Sequence, residues 1–102
     1  MIIECKRSGP QLTVGLSGEL DHHSAKSVRN KLNEQMEDSG IKRIVFDFKG
    51  LTLMDSSGIG VIIGQYKQMQ KRNGTVEVKN ISRSIDRIMA MSGLYNIIKK
   101  IS

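Results

Sequence analysis

The chain has 102 residues, which suffices for one domain and leaves no room for a second catalytic lobe. Hydrophobic residues make up 38% and charged residues 25% of the sequence, a balance that argues against a disordered or fibrous chain. Aromatic residues are only 4% and Trp is absent, so the core must be built from Ile, Val, Leu and Met. This composition favours a compact α/β domain over an immunoglobulin-like sandwich.

The single cysteine, Cys5, can form neither an internal disulfide nor a cysteine-based zinc site, which indicates a reducing, cytoplasmic compartment. The N-terminal residues lack the charged and then apolar order of a signal peptide. The main apolar run, residues 59–66, is much shorter than the roughly 20 residues of a membrane span. We therefore expect a soluble protein with no membrane partner.

The net charge of +6 lies mostly in the second half of the chain. Residues 1–50 carry eight Lys and Arg against seven Asp and Glu, whereas residues 51–102 carry eight against three. Such a surplus fits nucleic acid, an acidic protein partner or a solvated surface. Because neither aromatic stacking residues nor a groove-reading motif is visible, we favour the solvated surface and expect no direct binding of nucleic acid.

The first half of the chain predicts a hairpin, a helix and a strand. Residues 2–7 and 11–17 are strand-like on either side of Ser8-Gly9-Pro10, which is typical of a hairpin turn. Asp21 is a candidate N-cap for a helix that ends at Ser39-Gly40. The apolar residues of this helix recur at spacings of three and four: Ala25, Val28, Leu32 and Met36. Residues 44–48 then predict a buried strand.

The second half predicts a loop over residues 51–55 and a helix from Ser56 to about Arg72, closed by a left-handed cap at Asn73-Gly74. The apolar face predicted for this helix consists of Ile59, Ile62, Ile63, Tyr66 and Met69. A strand over 75–79, a short helix capped by Ser82 and a last strand over 94–101 complete the chain. The order ββαβαβαβ predicts a single α/β domain over residues 1–102. Its mixed sheet begins with an antiparallel hairpin, continues with parallel strands and carries the helices packed on it.

Asp55, Ser56 and Ser57 stand where the loop turns into the second helix. The free backbone N–H groups and the positive end of the helix dipole at such a position favour a negative group, so a phosphate on Ser56 or Ser57 would be tolerated. The negative charge of Asp55 opposes this. The alternative is that the three residues only cap the helix, because these residue types dominate N-caps.

The glycines that follow resemble a phosphate-binding loop but do not complete one. Gly58 and Gly60 have the first spacing of GxGxxG, yet Ile63 stands where the third glycine is needed, and no Gly-Lys-Ser/Thr follows. We therefore expect Gly60 and Gly64 to allow close packing on the sheet. A small nucleotide-binding or nucleotide-hydrolysing protein remains the alternative function that this stretch supports.

Two further kinds of chemistry find little support. His22 and His23 are adjacent, so they make a poor metal pair, and no HExxH spacing is present. A nucleophilic serine would need a base, and neither Ser56 nor Ser57 lies in a Gly-x-Ser-x-Gly elbow. We expect no catalytic residue, no metal and no cofactor.

Three segments together resemble the STAS domains of anti-sigma factor antagonists, and the match covers nearly the whole chain. They are Gly18-Glu-Leu-Asp-His-His23, Leu53-Met-Asp-Ser-Ser-Gly-Ile-Gly-Val-Ile62 and Met91-Ser-Gly-Leu94. The Asp-Ser-Ser-Gly run is similar to the phosphorylation loop of this family. The Glu-Leu-Asp-His-His run is most similar to the sporulation, anti-sigma-F branch rather than the general-stress branch.

The resemblance implies a regulatory binding protein rather than an enzyme. Ser56 matches the phosphorylated position, and Asp21 matches an acidic residue that meets an arginine of the anti-sigma factor; Asp55, Ser57 and Gly58 complete the expected partner surface. The unphosphorylated form would bind an anti-sigma factor with serine kinase activity, release the sigma factor and promote sporulation transcription. Phosphorylation would end binding, and a serine phosphatase would restore it. We expect a monomer when free.

Overall fold

The computed structural model describes residues 1–101 and shows one sheet with helices packed against it. The elements in chain order are β1 (Ile2–Ser8), β2 (Gln11–Leu20), α1 (Ala25–Met36), β3 (Arg43–Met54), α2 (Ser56–Lys71), β4 (Thr75–Lys79), α3 (Arg83–Met91), a 3₁₀ turn (Leu94–Asn96) and β5 (Lys99–Lys100). This order confirms the predicted ββαβαβαβ arrangement. Within these residues, no helix is both long and apolar enough to cross a bilayer.

The sheet is mixed, and its strands lie side by side in the order β1-β2-β3-β4-β5. β1 pairs antiparallel with β2, and every later pair is parallel. Each parallel connection moves to the next strand in the same direction, and right-handed crossovers of this kind put all their helices on the same face. The predicted hairpin and parallel strands are thereby confirmed.

The core lies between the helices and one face of the sheet. Alternate residues in the first parts of β2 and β3 point into it, and Phe46 and Phe48 are fully buried. The other face is polar at its surface, where Arg43 forms an ion pair with Glu77 above the buried Val45. The sheet therefore has one face that is buried under the helices and one face with a polar surface. Because the core residues are buried, a functional site must lie at the edges of the sheet or at the helix starts.

The apolar stripe predicted for the first helix is confirmed, because the four residues at its predicted positions are all buried in α1. The predicted start is wrong. The N-cap residue is Ser24, and Asp21 closes the turn before the helix by accepting hydrogen bonds from the backbone N–H groups of His23 and Ser24. A carboxylate closes such a turn as readily as it caps a helix.

The loop predicted over residues 51–55 is also wrong. β3 continues through Met54, because β2 continues as far as Leu20 and pairs with it in parallel. The pairing shifts register twice, between Gly15 and Ser17 and between Gly18 and Glu19, and at each shift β3 carries one more residue than β2. The two strands consequently end together at the same edge of the sheet.

The C-terminal strand predicted over residues 94–101 is mostly absent. Residues 94–96 form the 3₁₀ turn, which follows a left-handed Gly93, and only Lys99 and Lys100 pair with β4. The predicted cap of α3 is confirmed, since the Ser82 hydroxyl accepts a hydrogen bond from the backbone N–H of Ile85. The Tyr95 hydroxyl donates to Asp86 and so ties this last segment to α3.

Candidate functional site

The candidate site lies where β2 and β3 end. Leu20 pairs with Met54, so Asp21 and Asp55 leave the sheet side by side, as expected for neighbouring parallel strands. The backbone N–H of Asp55 donates to the carbonyl oxygen of Leu20 at 3.2 Å and joins the two segments. Ligand and partner sites of parallel sheets concentrate at this edge.

Asp55 holds both segments through its carboxylate. One oxygen, Oδ1, accepts from the backbone N–H groups of Ser57 at 2.9 Å and Gly58 at 3.3 Å, and so caps α2. The other, Oδ2, accepts from the backbone N–H of His22 at 3.2 Å. The expectation of several free donors at this helix start is therefore wrong, because Asp55 already occupies two of them. The helix-cap role of Asp55 is confirmed.

The two serines of the loop differ in exposure. Ser56 is the first residue of α2 and is exposed, whereas Ser57 is half-buried. Within residues 1–101, the Ser56 hydroxyl has no hydrogen-bond partner, so a kinase would meet an accessible nucleophile there. Ser57 instead presents its backbone N–H to Asp55. That Ser56 is phosphorylated remains a prediction.

Gly58 packs at the base of this loop. A Cβ at this position would lie 2.7 Å from the carbonyl oxygen of Leu20 and 2.8 Å from side-chain carbons of Leu20 and Met54. Only glycine therefore lets the first turn of α2 sit directly on the ends of the two strands. Gly58 is buried, so the structure gives it a positioning role, and direct contact with a partner remains a prediction.

Asp21 presents a fixed carboxylate beside the loop. Its Oδ1 accepts from the backbone N–H groups of His23 at 2.9 Å and Ser24 at 3.1 Å. The hydrogen bond from Ser24, with a smaller contribution from that of His23, lowers the pKa of Asp21, so the group is ionised at neutral pH. An open pocket of about 560 Å³ adjoins it, lined in part by Glu19 and Thr52. This surface suits a cationic side chain.

The sequence prediction missed two residues at this edge, Glu19 and Leu53. They pair with each other across β2 and β3, and both are exposed; Leu53 exposes 42% of its surface. They were missed because residues 51–55 were predicted to form a loop. A strand carried through Met54 would have shown that Leu53 and the buried Met54 point to opposite sides.

The expected packing role of two later glycines is wrong. A Cβ at Gly64 would meet no atom within 4 Å, and one at Gly60 would meet only the Arg29 guanidinium, at 3.7 Å. Neither glycine lies against the sheet. The buried face of α2 is instead formed by Gly58, Val61, Ile62, Gln65 and Met69.

The imidazole rings of His22 and His23 are both exposed, with centroids 5.9 Å apart in an edge-on arrangement. Within residues 1–101, no three His, Cys, Asp or Glu side chains are grouped in a way that could hold a metal ion. The structure does provide an accessible hydroxyl at a helix start, at the same sheet edge as the fixed carboxylates of Asp21 and Asp55. Such a surface can accept a phosphoryl group and can bind cationic groups of a protein.

Comparison of the sequence with known proteins identifies the family and two curated relatives. Residues 3–102 match the STAS domain family. The chain is 40% identical over 95 residues to an anti-sigma F factor antagonist of Paenibacillus polymyxa, which covers 93% of this chain and 81% of that protein. It is 32% identical over 96 residues to an anti-sigma-B factor antagonist of Bacillus subtilis (strain 168), covering 94% and 86%.

The fold is similar to that of the anti-sigma factor antagonist SpoIIAA, which has been solved in two forms. The unphosphorylated form superposes with a TM-score of 0.86 over 99% of this chain and 89% of that chain, at 24% identity. The phosphorylated form of the Bacillus protein gives 0.77 over 99% and 92%, also at 24% identity. The two structures agree in fold with this chain, and the family match together with the 40% identical relative shows that the chain belongs to the STAS domain family, among the anti-sigma factor antagonists.

Proposed function

We propose that this protein binds an anti-sigma factor that has serine kinase activity, and that phosphorylation of Ser56 ends the binding. Binding by the unphosphorylated form releases a sigma factor, and a serine phosphatase restores that form. The protein acts in the cytoplasm as a monomer that promotes sporulation transcription, without catalysing a reaction itself. The 40% identical relative, which is named an anti-sigma F factor antagonist, supports this choice of partner.

The observation that carries the proposal is the exposure of Ser56 next to Asp55, at the sheet edge where Asp21 also lies. Asp21 and Asp55 are both held by backbone N–H groups, so neither can turn away from a partner without losing hydrogen bonds. A partner arginine can pair with Asp21 while the kinase reaches the Ser56 hydroxyl. The same small surface thus serves for recognition and for modification.

Phosphorylation would change the charge of this surface without changing the fold. A phosphoserine adds about −1.5 to −2 charge and, at the start of α2, lies at the favourable end of the helix dipole. The same charge would face a partner that fits Asp21 and Asp55. Burying an unpaired charge at an interface costs on the order of several kcal/mol, which weakens binding by roughly a thousandfold or more.

The alternative of a nucleotide-binding protein is not favoured. A phosphate held at a helix start needs free backbone N–H groups and commonly a lysine. Here Asp55 accepts from two of those groups, and its carboxylate would repel a nucleotide phosphate. Residues 53–60 also contain no lysine.

The test uses the purified anti-sigma F factor of Paenibacillus polymyxa with ATP. We expect the intact mass of the wild-type chain to rise by one phosphate, and peptide mapping to place it on Ser56. Ser57→Ala should accept phosphate, because the altered side chain is half-buried and its backbone N–H is retained. Ser56→Ala should not.

Two results would contradict the proposal. One is a wild-type chain that neither binds the anti-sigma F factor nor takes up phosphate. The other is phosphate uptake by Ser56→Ala at the wild-type rate with loss of uptake in Ser57→Ala, which would move the modified position to Ser57.

A further inference from the structure

Two glycines inside α2 lower the stability of the helix, and the fold does not require them. Gly60 and Gly64 are within the helix and have no positive φ, and an added Cβ would find room at both positions. Glycine in a helix interior is less favourable than alanine because it loses more backbone entropy on folding. Because packing does not explain why these two positions are glycine, the reason is to be found in the surface that they form.

The two glycines continue the face of α2 that begins at the exposed Ser56; Gly64 is exposed and Gly60 is half-buried. Ser56, Gly60 and Gly64 follow one another at intervals of four residues, so they lie along one side of the helix over about 12 Å. Lys67 and Lys71 are exposed further along the same side. Gly60 and Gly64 thus form a strip along the helix that has no side chains for two turns. The positive charges of Lys67 and Lys71 follow it.

A small cavity beside this strip contains a hydrogen-bond donor without a partner. The cavity, of about 100 Å³, lies between α1 and α2 and is lined by Gly64, Gln65, Gln68, Arg29 and Asn33, among others. Gln65 is only 3% exposed, and its Nε2 makes no hydrogen bond within residues 1–101. An unpaired buried donor is costly, so this amide is suited to an acceptor that arrives from outside.

The cations around the cavity indicate which acceptor it takes. Arg29 forms no hydrogen bond or ion pair in the described part of the chain, and its guanidinium lies near Gly60. Together with the amide of Gln65 it offers donors to one small space, and the lysines of the strip add to the positive potential. A carboxylate accepts from both kinds of donor and is the complementary charge.

We propose that the strip formed by Gly60 and Gly64 and the adjoining cavity are a second part of the partner interface, which receives an acidic side chain of the anti-sigma factor. This inference rests on the proposed function. The partner segment lies close along α2 because no side chains intervene, and its carboxylate pairs with Gln65 and Arg29. The antagonist thus presents acidic groups at the start of α2 and basic groups along it, which fixes the orientation of the partner.

The experiment measures melting temperature and affinity for the anti-sigma F factor of Paenibacillus polymyxa, using the full chain and three variants. Gly64→Gln fills the strip with a good helix former, so the melting temperature should stay unchanged or rise by about 2–8 °C. Its affinity should fall at least about tenfold, since the larger side chain keeps the partner away. Ala90→Gln places the same side chain on the exposed face of α3 and should change neither quantity.

Gln65→Met removes the unpaired donor and keeps the volume. The melting temperature should not fall, and the affinity should fall about 10- to 150-fold, the value of one hydrogen bond to a charged group. In the wild-type complex, the side-chain amide resonance of Gln65 should shift relative to that of the free chain.

The possible failures are distinguishable. If the wild-type chain does not bind the anti-sigma F factor, the proposed function fails and this inference fails with it. If the wild-type chain binds and Gly64→Gln binds within twofold of it, only the inference is overturned. A marked loss of melting temperature in Gly64→Gln would also overturn the inference, because the glycine would then serve the fold.

Discussion

Asn in place of Asp21 separates the turn-closing role that this carboxylate has in the structure from the partner-binding role that we propose for it. The side-chain oxygen that accepts from the backbone N–H groups of His23 and Ser24 is also present in Asn, so Asp21→Asn keeps the turn before α1. Asn forms such turns about as well as Asp. The substitution removes the charge, and the charge is what a partner arginine would meet.

The expected size of the effect follows from the kind of hydrogen bond that the substitution weakens. A hydrogen bond to a charged group strengthens an interface by roughly 10- to 150-fold, so the affinity for the anti-sigma F factor should fall by about that factor. The structure of the turn is retained, so the melting temperature at pH 7 should change by no more than a few degrees. Isothermal titration calorimetry and thermal unfolding measure the two quantities on the same sample.

The control is Asp38→Asn, which alters another surface carboxylate that also accepts from a backbone N–H, that of Gly40, but lies away from the candidate site. Its affinity for the partner should equal that of the wild type. Full affinity of Asp21→Asn would refute the interface role of Asp21. A large loss of stability would show that the charge of Asp21 acts within the fold.

Three further predictions concern the loop and the C-terminal segment. Ser56→Asp should weaken partner binding while the melting temperature is kept or slightly raised, since an acid at a helix start contributes about 0.3–1 kcal/mol; unchanged affinity would contradict the charge-based switch. Gly58→Ala should destabilise the fold by about 1–3 kcal/mol because its Cβ meets the carbonyl oxygen of Leu20, and denaturant unfolding with a wild-type midpoint would contradict this. The hydrogen bond from Tyr95 lowers the pKa of Asp86, so its contribution to stability is complete above about pH 4 and is lost as the pH falls below that. Tyr95→Phe should therefore flatten the fall of melting temperature between about pH 5 and pH 3, and a wild-type pH profile would count against the contact.

The parts of the fold that the sequence predicted correctly depend on local patterns. The stripe of α1, the strand Thr75–Lys79 and the cap at Ser82 each follow from residues close in the chain. The extension of β3 does not, because it depends on pairing with β2. Gly50 packs so tightly on Ser17 that a Cβ would lie 2.2 Å from its hydroxyl oxygen, a contact invisible in the sequence.

The C-terminal prediction failed for a related reason. An apolar run such as Leu94–Ile98 is compatible with a strand or a helical turn, and periodicity alone cannot decide between them. The contacts of Tyr95 with α3 and the left-handed Gly93 select the turn. In this segment, tertiary contacts thus outweigh the strand propensity of the apolar residues.

The candidate site was predictable in position but not in detail. Parallel neighbours were enough to place Asp21 beside the loop of Ser56, because strand ends meet at one edge. The bond from the His22 backbone to Asp55 and the exposure of Gly64 depend on how α1 and α2 sit on the sheet. No spacing in the sequence carries that information.

We expect phosphate on Ser56 to decide whether the partner binds. The most direct measurement is the affinity of the anti-sigma F factor for two preparations of the wild-type chain, one unphosphorylated and one carrying a single phosphate verified on Ser56. We predict tight binding of the first preparation and a loss of roughly a thousandfold or more for the second, with circular dichroism spectra that coincide. Equal affinities for the two preparations would contradict the account.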